Sequence, residues 1–371
     1  MHIVSATLHR VRLPLVHAFQ TSSHRKNHLE HIIVQLTDAN GVVGWGEIAS
    51  PSDPYYCPDT ADTSWLITGR NLLPPLLDKE FETPADVNLT WSKVRGHQFA
   101  KAGVDMAAWT LHSALTGHSL TDLLGGTRSE VVAGVSLGIE PTLDDLVTQV
   151  GQHVDNGYPR VKLKIAPGWD VDPVRVVRAE FGDLDLHVDA NGAYTESEEH
   201  LTALRGLGPY GLTMIEQPFA PNNWLASRRL SAELDTPICL DESVEDLDDL
   251  ATMIDLKAGR ILNIKVSRMG GLTPALVAHE VAQQYEVPVW CGGMHEFGIG
   301  RAANVAISSL AGFSLPSDVS SWDKYYARDI VIDGVTADHG RVTVPTASGV
   351  GFEVDTDFLA ENTVDTLTLT V

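Results

Sequence analysis

Charged residues recur along this chain at the length of one strand-plus-helix unit, and each closes a short apolar run. They lie in VKLKI (Lys162, Lys164), LHVDAN (Asp189), LTMIEQP (Glu216), ICLDES (Asp241) and ILNIKVS (Lys265). From Lys164 onward the gaps are 25, 27, 25 and 24 residues. A βα repeat of that length is what a (β/α) barrel produces, and a barrel gathers its strand ends around one mouth. Distant segments then form one site, with three carboxylates flanked by lysines. Such a site suits an enzyme that binds a divalent metal and abstracts a proton.

A barrel takes roughly 250 residues, so the 371-residue chain has room for a second unit. Hydrophobic residues make up 43% of the chain, enough for a large core. No stretch has the length and apolarity of a membrane span. The start, MHIVSATLHRVRLPL, alternates like a strand rather than reading as a secretion signal. The net charge of −23, from 49 acidic and 26 basic residues, argues against nucleic acid, whose phosphates need a basic footprint. Cys57, Cys239 and Cys291 have neither disulfide-framework nor zinc-site spacing, which fits a reducing cytoplasm.

Residues 3–11, 31–37 and 42–48 read as strands, with DANG at 38–41 as the turn of a hairpin. Residues 60–82 and 84–117 read as mainly helical, and Gly117 as a stop. Barrel strands are predicted at 131–138, 160–166, 185–189, 212–216, 237–241, 261–266, 287–291 and 312–317. These are continuous apolar runs, as expected for strands covered on both faces. Residues 330–371 hold further strand-like pieces, DIVIDG and GRVTVPT, whose pattern does not continue the barrel and predicts a return to the N-terminal region.

Taken in order, LPLVHAFQTSSH, GWGEIASPSDPYY, VKLKIAPG, DANGAY, MIEQPF, LDES, NIKVSRMGG and WCGGMHEFGIGRAAN resemble the enolase superfamily over nearly the whole chain. Within it they are most similar to the o-succinylbenzoate synthase and N-acylamino acid racemase subgroup. The resemblance implies an α/β fold: a modified (β/α)7β TIM barrel at 128–329, with an α+β capping domain from residues 1–127 completed by segment 330–371. It also implies a homo-oligomer acting on a small carboxylate substrate.

By that resemblance Asp189, Glu216 and Asp241 are metal ligands. Their chemistry agrees: three oxygen donors with no histidine or cysteine in register suit Mg²⁺, and Mn²⁺ fits the same set. Asn191 and Glu242 are expected to orient ligands or lysines. Lys162 and Lys164, two apart on one strand, share the barrel interior, and Lys265 faces them from the sixth strand. The resemblance makes Lys164 a base on one face of the substrate, places Lys265 at the other, and has Lys162 tune Lys164. Neighbouring ammonium charge and partial burial are expected to lower a lysine pKa here. Both subgroup reactions, dehydration to 2-succinylbenzoate and 1,1-proton transfer on an N-acylamino acid, need these same groups. The synthase is the primary expectation and the racemase the alternative.

Phe19, Thr21, Ser22 and Ser23 belong by resemblance to a cap loop over the substrate, which continues as His24, Arg25 and Lys26. Tyr55 and Tyr56 are further cap candidates, and Ser136 is a hydrogen-bonding one. Gly292, Gly293 and Met294 follow the seventh strand, where glycine permits close approach of backbone N–H groups to a carboxylate. His295 is a candidate source of pH dependence. Trp322 and Asp323 are expected to border the pocket. GLGPYG at 206–211 has the wrong glycine spacing for a dinucleotide fingerprint. A sugar-acid dehydratase usually has a histidine–aspartate pair in place of Lys265, and a dipeptide epimerase an Asp-x-Asp motif that SSWDKYY lacks.

Overall fold

The computed structural model describes residues 1–20 and 25–371, with the backbone alone at 17–20 and 25–26. The expectations for Phe19, Thr21, Ser22, Ser23, His24, Arg25 and Lys26 concern side chains outside the described residues.

Strands β1 (His2–Gln20), β2 (Arg25–Asp38) and β3 (Val43–Ile48) form an antiparallel sheet. The predicted hairpin is present: Asp38 N–H donates to the Val42 carbonyl at 2.9 Å. Alternation splits β2 between two cores. Ile32, Val34 and Leu36 pack within the cap, while Leu29 and Ile33 face the barrel core. There follow α1 (Ala61–Ile67), β4 (Lys79–Glu80), α2 (Pro84–Leu89), α3 (Gln98–Thr116) and α4 (Leu120–Leu124). The predicted helix over 60–82 fragments near Pro74 and Pro75, which lack an N–H. The one over 84–117 breaks before α3, where Gly96 and His97 adopt left-handed conformations.

The predicted strand 131–138 is two strands, β5 (Glu130–Val132) and β6 (Val135–Leu137). Only β6 enters the barrel. It is followed by α5 (Leu143–Asp155), β7 (Arg160–Lys164), α6 (Val171–Phe181), β8 (Asp185–Asp189), α7 (Glu198–Gly206) and β9 (Met214–Glu216). Next come α8 (Trp224–Glu233), β10 (Ile238–Leu240), α9 (Leu247–Leu256), β11 (Ile261–Ile264), α10 (Leu272–Gln284), β12 (Val289–Cys291) and α11 (Gly298–Ser308). Strands β6 to β12 pair in sequence order and in parallel. Burial of successive residues on β10, β11 and β12 matches their apolar runs.

The predicted eighth strand, 312–317, is not a continuous strand. Phe313 bridges Val289 and Ser317 bridges Ala133, so the segment still closes the ring. Pro316 between them has no N–H to continue a ladder. The fold is thus an α/β (β/α)7β barrel with an antiparallel cap. Of the last forty or so residues, β13 (Ala337–Asp338) and β14 (Arg341–Thr343) join β5, then α12 (Thr356–Asn362) leads to β15 (Thr363–Thr370), which pairs with β1. Among the described residues DIVIDG contributes one bridge, Val331 to Val354. Among the described residues no helix is long and apolar enough to cross a membrane.

A buried cap carboxylate fastens the barrel helix that follows Lys265. Asp105 on α3 accepts from Thr273 N at 3.1 Å, Thr273 Oγ1 at 2.6 Å and Asn88 Nδ2 at 2.5 Å. The residue before α10 is Gly271, with φ 122° and no side chain to cap the helix, and a Cβ there would collide with Asp105. Asp105 therefore takes the capping role from another element, where helix-end N–H groups favour an acceptor.

Burial raises the Asp105 pKa to about 6 from its ordinary 3.8, against the hydrogen bonds that lower it. A raised carboxyl pKa means the folded state keeps a proton that the unfolded chain releases, so stability falls as pH rises from about 4 to 6. Between pH 4 and 7 the protein is expected to lose about 3 kcal/mol relative to Asp105→Asn, measured by urea unfolding. A pH-independent difference would refute this.

Candidate active site

The parallel register brings the predicted groups to one level. Lys164 pairs with Asp189, and Asp189 with Glu216, across β7, β8 and β9. Asp241 and Lys265 are the residues immediately after β10 and β11. All five stand at the C-terminal mouth, where the neighbouring loops and the cap enclose a cavity of about 300 Å³.

Each lysine has its own carboxylate. Lys162 Nζ lies 2.9 Å from Glu216 Oε2, 3.0 Å from Asp318 Oδ2 and 4.5 Å from the centre of the Trp290 ring. Lys164 Nζ donates to Asp189 Oδ2 at 2.5 Å and Asn191 Oδ1 at 2.6 Å. Lys265 Nζ donates to Asp241 Oδ2 at 2.8 Å and to the Tyr56 hydroxyl at 2.9 Å. Arg268 donates to the other Asp241 oxygen, and Asn263 Nδ2 donates to Glu216 Oε1 at 2.8 Å. Asn191 Nδ2 donates to Glu242 Oε1 at 2.8 Å. Asn191 thus links Lys164 to Glu242.

Lys162 and Lys265 are held above their ordinary values, the opposite of what neighbouring ammonium charge and burial alone would do. Burial alone would lower Lys162, but Asp318, Glu216 and Asp189 hold it well above its ordinary value. Lys265 is raised in the same way by Asp241, against burial. The sequence shows the neighbouring ammonium groups, but not that carboxylates would come closer to each than the other lysines do.

Burial would raise Asp241 too, yet Arg268 and Lys265 hold it at about 2. By contrast, burial and the Asp189 charge push Glu216 to about 7, while burial with Asp241 and Asp189 pushes Glu242 to about 8. Glu242 Oε2 is buried without a hydrogen-bond partner among the described residues. An all-oxygen donor set with an unpartnered buried carboxylate oxygen beside it fits a hard divalent cation. Among the described residues no three His, Cys, Asp or Glu side chains stand as a ready-made cage; the carboxylates are engaged by Lys162, Lys164, Lys265 and Arg268 instead.

Of the pocket candidates, Ser136, Gly293, Met294 and His295 line the cavity, with Tyr55 at its exposed rim. Gly292, Trp322 and Asp323 do not. Gly292 N–H is donated to the Ile264 carbonyl, and a Cβ at Gly292 would collide with Asn263 and the Lys265 stem. Its service is space rather than a free N–H. Trp322 is half-buried and Asp323 exposed, while Ser320 and Tyr325 form that wall. Burial and the Arg301 charge hold His295 well below the usual histidine range, so it stays neutral near pH 7 and does not supply the expected titration.

Four site residues carry no role in the sequence reading. Asp318 receives Arg160 at 2.7 Å, Lys162 at 3.0 Å and Ser136 at 3.3 Å. The strand-end rule that picks the other acids also picks Asp318, one residue past the predicted eighth strand. Asn263 lies two before Lys265, and strand alternation sends both inward. Arg268, three residues after Lys265, is brought back to Asp241 by the turn in which Met269 N–H bonds the Lys265 carbonyl. Trp290, fully buried beneath Lys162, reads in sequence only as strand core.

A barrel with acids and lysines at this mouth is matched by known proteins. Residues 3–125 match the mandelate racemase / muconate lactonizing enzyme N-terminal domain, and residues 145–358 match the enolase C-terminal domain-like family. The chain belongs to the enolase superfamily and is an enzyme. It is 41% identical over 355 residues to an o-succinylbenzoate synthase of Geobacillus kaustophilus, covering 96% of this chain and 94% of that one. It is also 41% identical over 366 residues to an N-succinylamino acid racemase of Amycolatopsis sp, covering 98% of each. A crystal structure of an enolase superfamily member from Listeria innocua superposes with a TM-score of 0.97 at 35% identity, over 100% of this chain and 99% of that one.

Proposed function

We propose that the chain is an o-succinylbenzoate synthase, dehydrating 2-succinyl-6-hydroxy-2,4-cyclohexadiene-1-carboxylate within menaquinone biosynthesis in the cytoplasm. The observation that supports this reading is the likeness, at about 40% identity over nearly the whole chain, to o-succinylbenzoate synthases, on a site that holds the lysines the reaction needs: Lys164 beside Asp189 and Asn191, Lys265 beside Asp241 and Tyr56. Asp189, Glu216 and Asp241 would hold Mg²⁺, or Mn²⁺ in its place. When bound, the cation supplies positive charge that favours loss of the proton beside a carboxylate.

The chain's own groups then act as follows. A cation held by Asp189, Glu216 and Asp241 would share the carboxylates that pair with Lys164 and Lys265. Neutral Lys164 takes the proton from the carbon bearing the carboxylate. As ammonium it returns that proton to the hydroxide leaving the adjacent carbon on the same face, and water departs. Lys265, on the other side, remains ammonium and stabilises the enediolate charge. Lys162, held between Glu216 and Asp318, contributes fixed positive charge at the floor.

A second reading is N-succinylamino acid racemisation, in which Lys164 and Lys265 exchange one proton across the two faces of the α-carbon. The equivalent hydrogen-bonding of the two lysines favours it, as does the racemase relative. The test is kcat/KM with Mg²⁺ on the cyclohexadiene acid and on an N-succinyl amino acid in parallel. Turnover of the first is expected; turnover of the second alone would replace the primary reading, and turnover of both would establish one bifunctional site.

A further inference from the structure

One buried group in the cavity wall is used by none of these steps. His31 lies on β2, in the alternation that turns Leu29 and Ile33 toward the barrel, and only 3% of it is exposed. Its Nδ1 lies 2.7 Å from Glu47 Oε1. Glu47 also accepts from Phe297 N at 2.7 Å and Gly300 N at 2.8 Å, so its carboxylate is fixed between β3 and α11. A carboxylate that accepts all these bonds places the imidazole proton on Nδ1. The Phe297 ring, 4.5 Å away, holds the imidazole from the side. Nε2 is therefore the nitrogen left for the cavity, which His31 lines, and it makes no hydrogen bond among the described residues.

We propose that His31 contacts the substrate and reads the terminal carboxylate of its succinyl group, an inference that rests on the function proposed above. The substrate's reacting carboxylate belongs at the lysine end of the cavity, so its far end reaches the cap wall. There the terminal carboxyl group, taken up with its proton, shares that proton with Nε2, while Glu47 holds the ring through Nδ1. Other charged groups line the same cavity. Glu30 is held by Arg10 at 2.5 Å and Arg12 at 2.6 Å. Arg301 donates to the Ser320 and Glu296 carbonyls at 2.6 and 2.8 Å, and Glu296 lines the cavity beside it. Glu30 and Arg301 are thus engaged by protein groups, and discrimination comes from the hydrogen bond His31 makes.

The test compares wild type, His31→Asn and His31→Gln on whichever succinyl substrate the wild type turns over, and on its terminal amide analogue. Asparagine can keep a donor near the Nδ1 position for Glu47 but does not reach the cavity; glutamine places a donor near Nε2. His31→Asn is expected to lower kcat/KM for the succinyl substrate about 10- to 100-fold, the loss of a hydrogen bond to a charged group, with the amide analogue changed less than about twofold. His31→Gln is expected to recover most of that loss. Equal losses on both substrates, or none, overturn the proposal. A measurement on the wild type alone guards against misfolding of the variants: succinate is expected to inhibit at least about tenfold more strongly than its monoamide, by the same energy, and equal inhibition overturns it. If the wild type turns over neither succinyl substrate, the function falls and this inference with it; if it turns one over and the variants show no selectivity, only the inference falls.

Discussion

Replacing Lys164 with alanine is expected to lower kcat by about 10²- to 10⁴-fold, the range for removing a positioned acid–base group. The fold should survive, because the Lys164 side chain is 21% exposed and Asp189 keeps Lys162 at 3.6 Å and the Asn191 N–H at 2.9 Å. Lys265→Ala distinguishes the two reactions. In dehydration Lys164 moves the proton, so Lys265→Ala weakens charge stabilisation and slows turnover while Lys164 still acts. In racemisation each single variant loses interconversion yet retains α-proton exchange from one enantiomer only. The measurement is deuterium incorporation into each enantiomer by NMR. Full activity in both alanine variants would remove the lysines from the chemistry.

Asp241→Asn is expected to produce two separable losses. Asp241 is buried and pairs with Lys265 and with Arg268, itself almost fully buried. Removing one member of a buried ion pair leaves its partners uncompensated, at a cost of about 3–5 kcal/mol. The pKa gives the sign of the pH effect. With Asp241 held at about 2 rather than 3.8, its contribution is present above about pH 4 and is lost as pH falls toward 2. The variant should therefore lack that acid-side slope in urea unfolding. Separately, calorimetric titration with Mg²⁺ is expected to show affinity reduced by more than the roughly 10–100-fold typical of losing an outer partner. Unchanged Mg²⁺ binding would remove Asp241 from the ligand set.

Periodicity and strand-end charge made much of this molecule legible. The spacing from Lys164 to Lys265 is enough to place five groups at one mouth, because parallel strands joined by helices must all end on the same side. Local turn chemistry was equally readable at 38–41. Less readable were the places where two elements compete for one segment. Residues 131–138 look uniformly apolar, yet β5 leaves the barrel to pair with β14. Residues 312–317 look like a strand, yet Pro316 limits them to isolated bridges.

Which residue types meet at the barrel mouth follows from alternation and repeat length, which are properties of the chain alone. Only the tertiary structure decided their charge states and partners. Lys162 is held as ammonium by Asp318 from the eighth segment, and Lys265 by Asp241 beside Tyr56 from the cap. His31 and Glu47 form a dyad only because β2 and β3 are paired and docked on α11. Electrostatic energies depend on distance and burial, and those are set by packing between segments far apart in sequence.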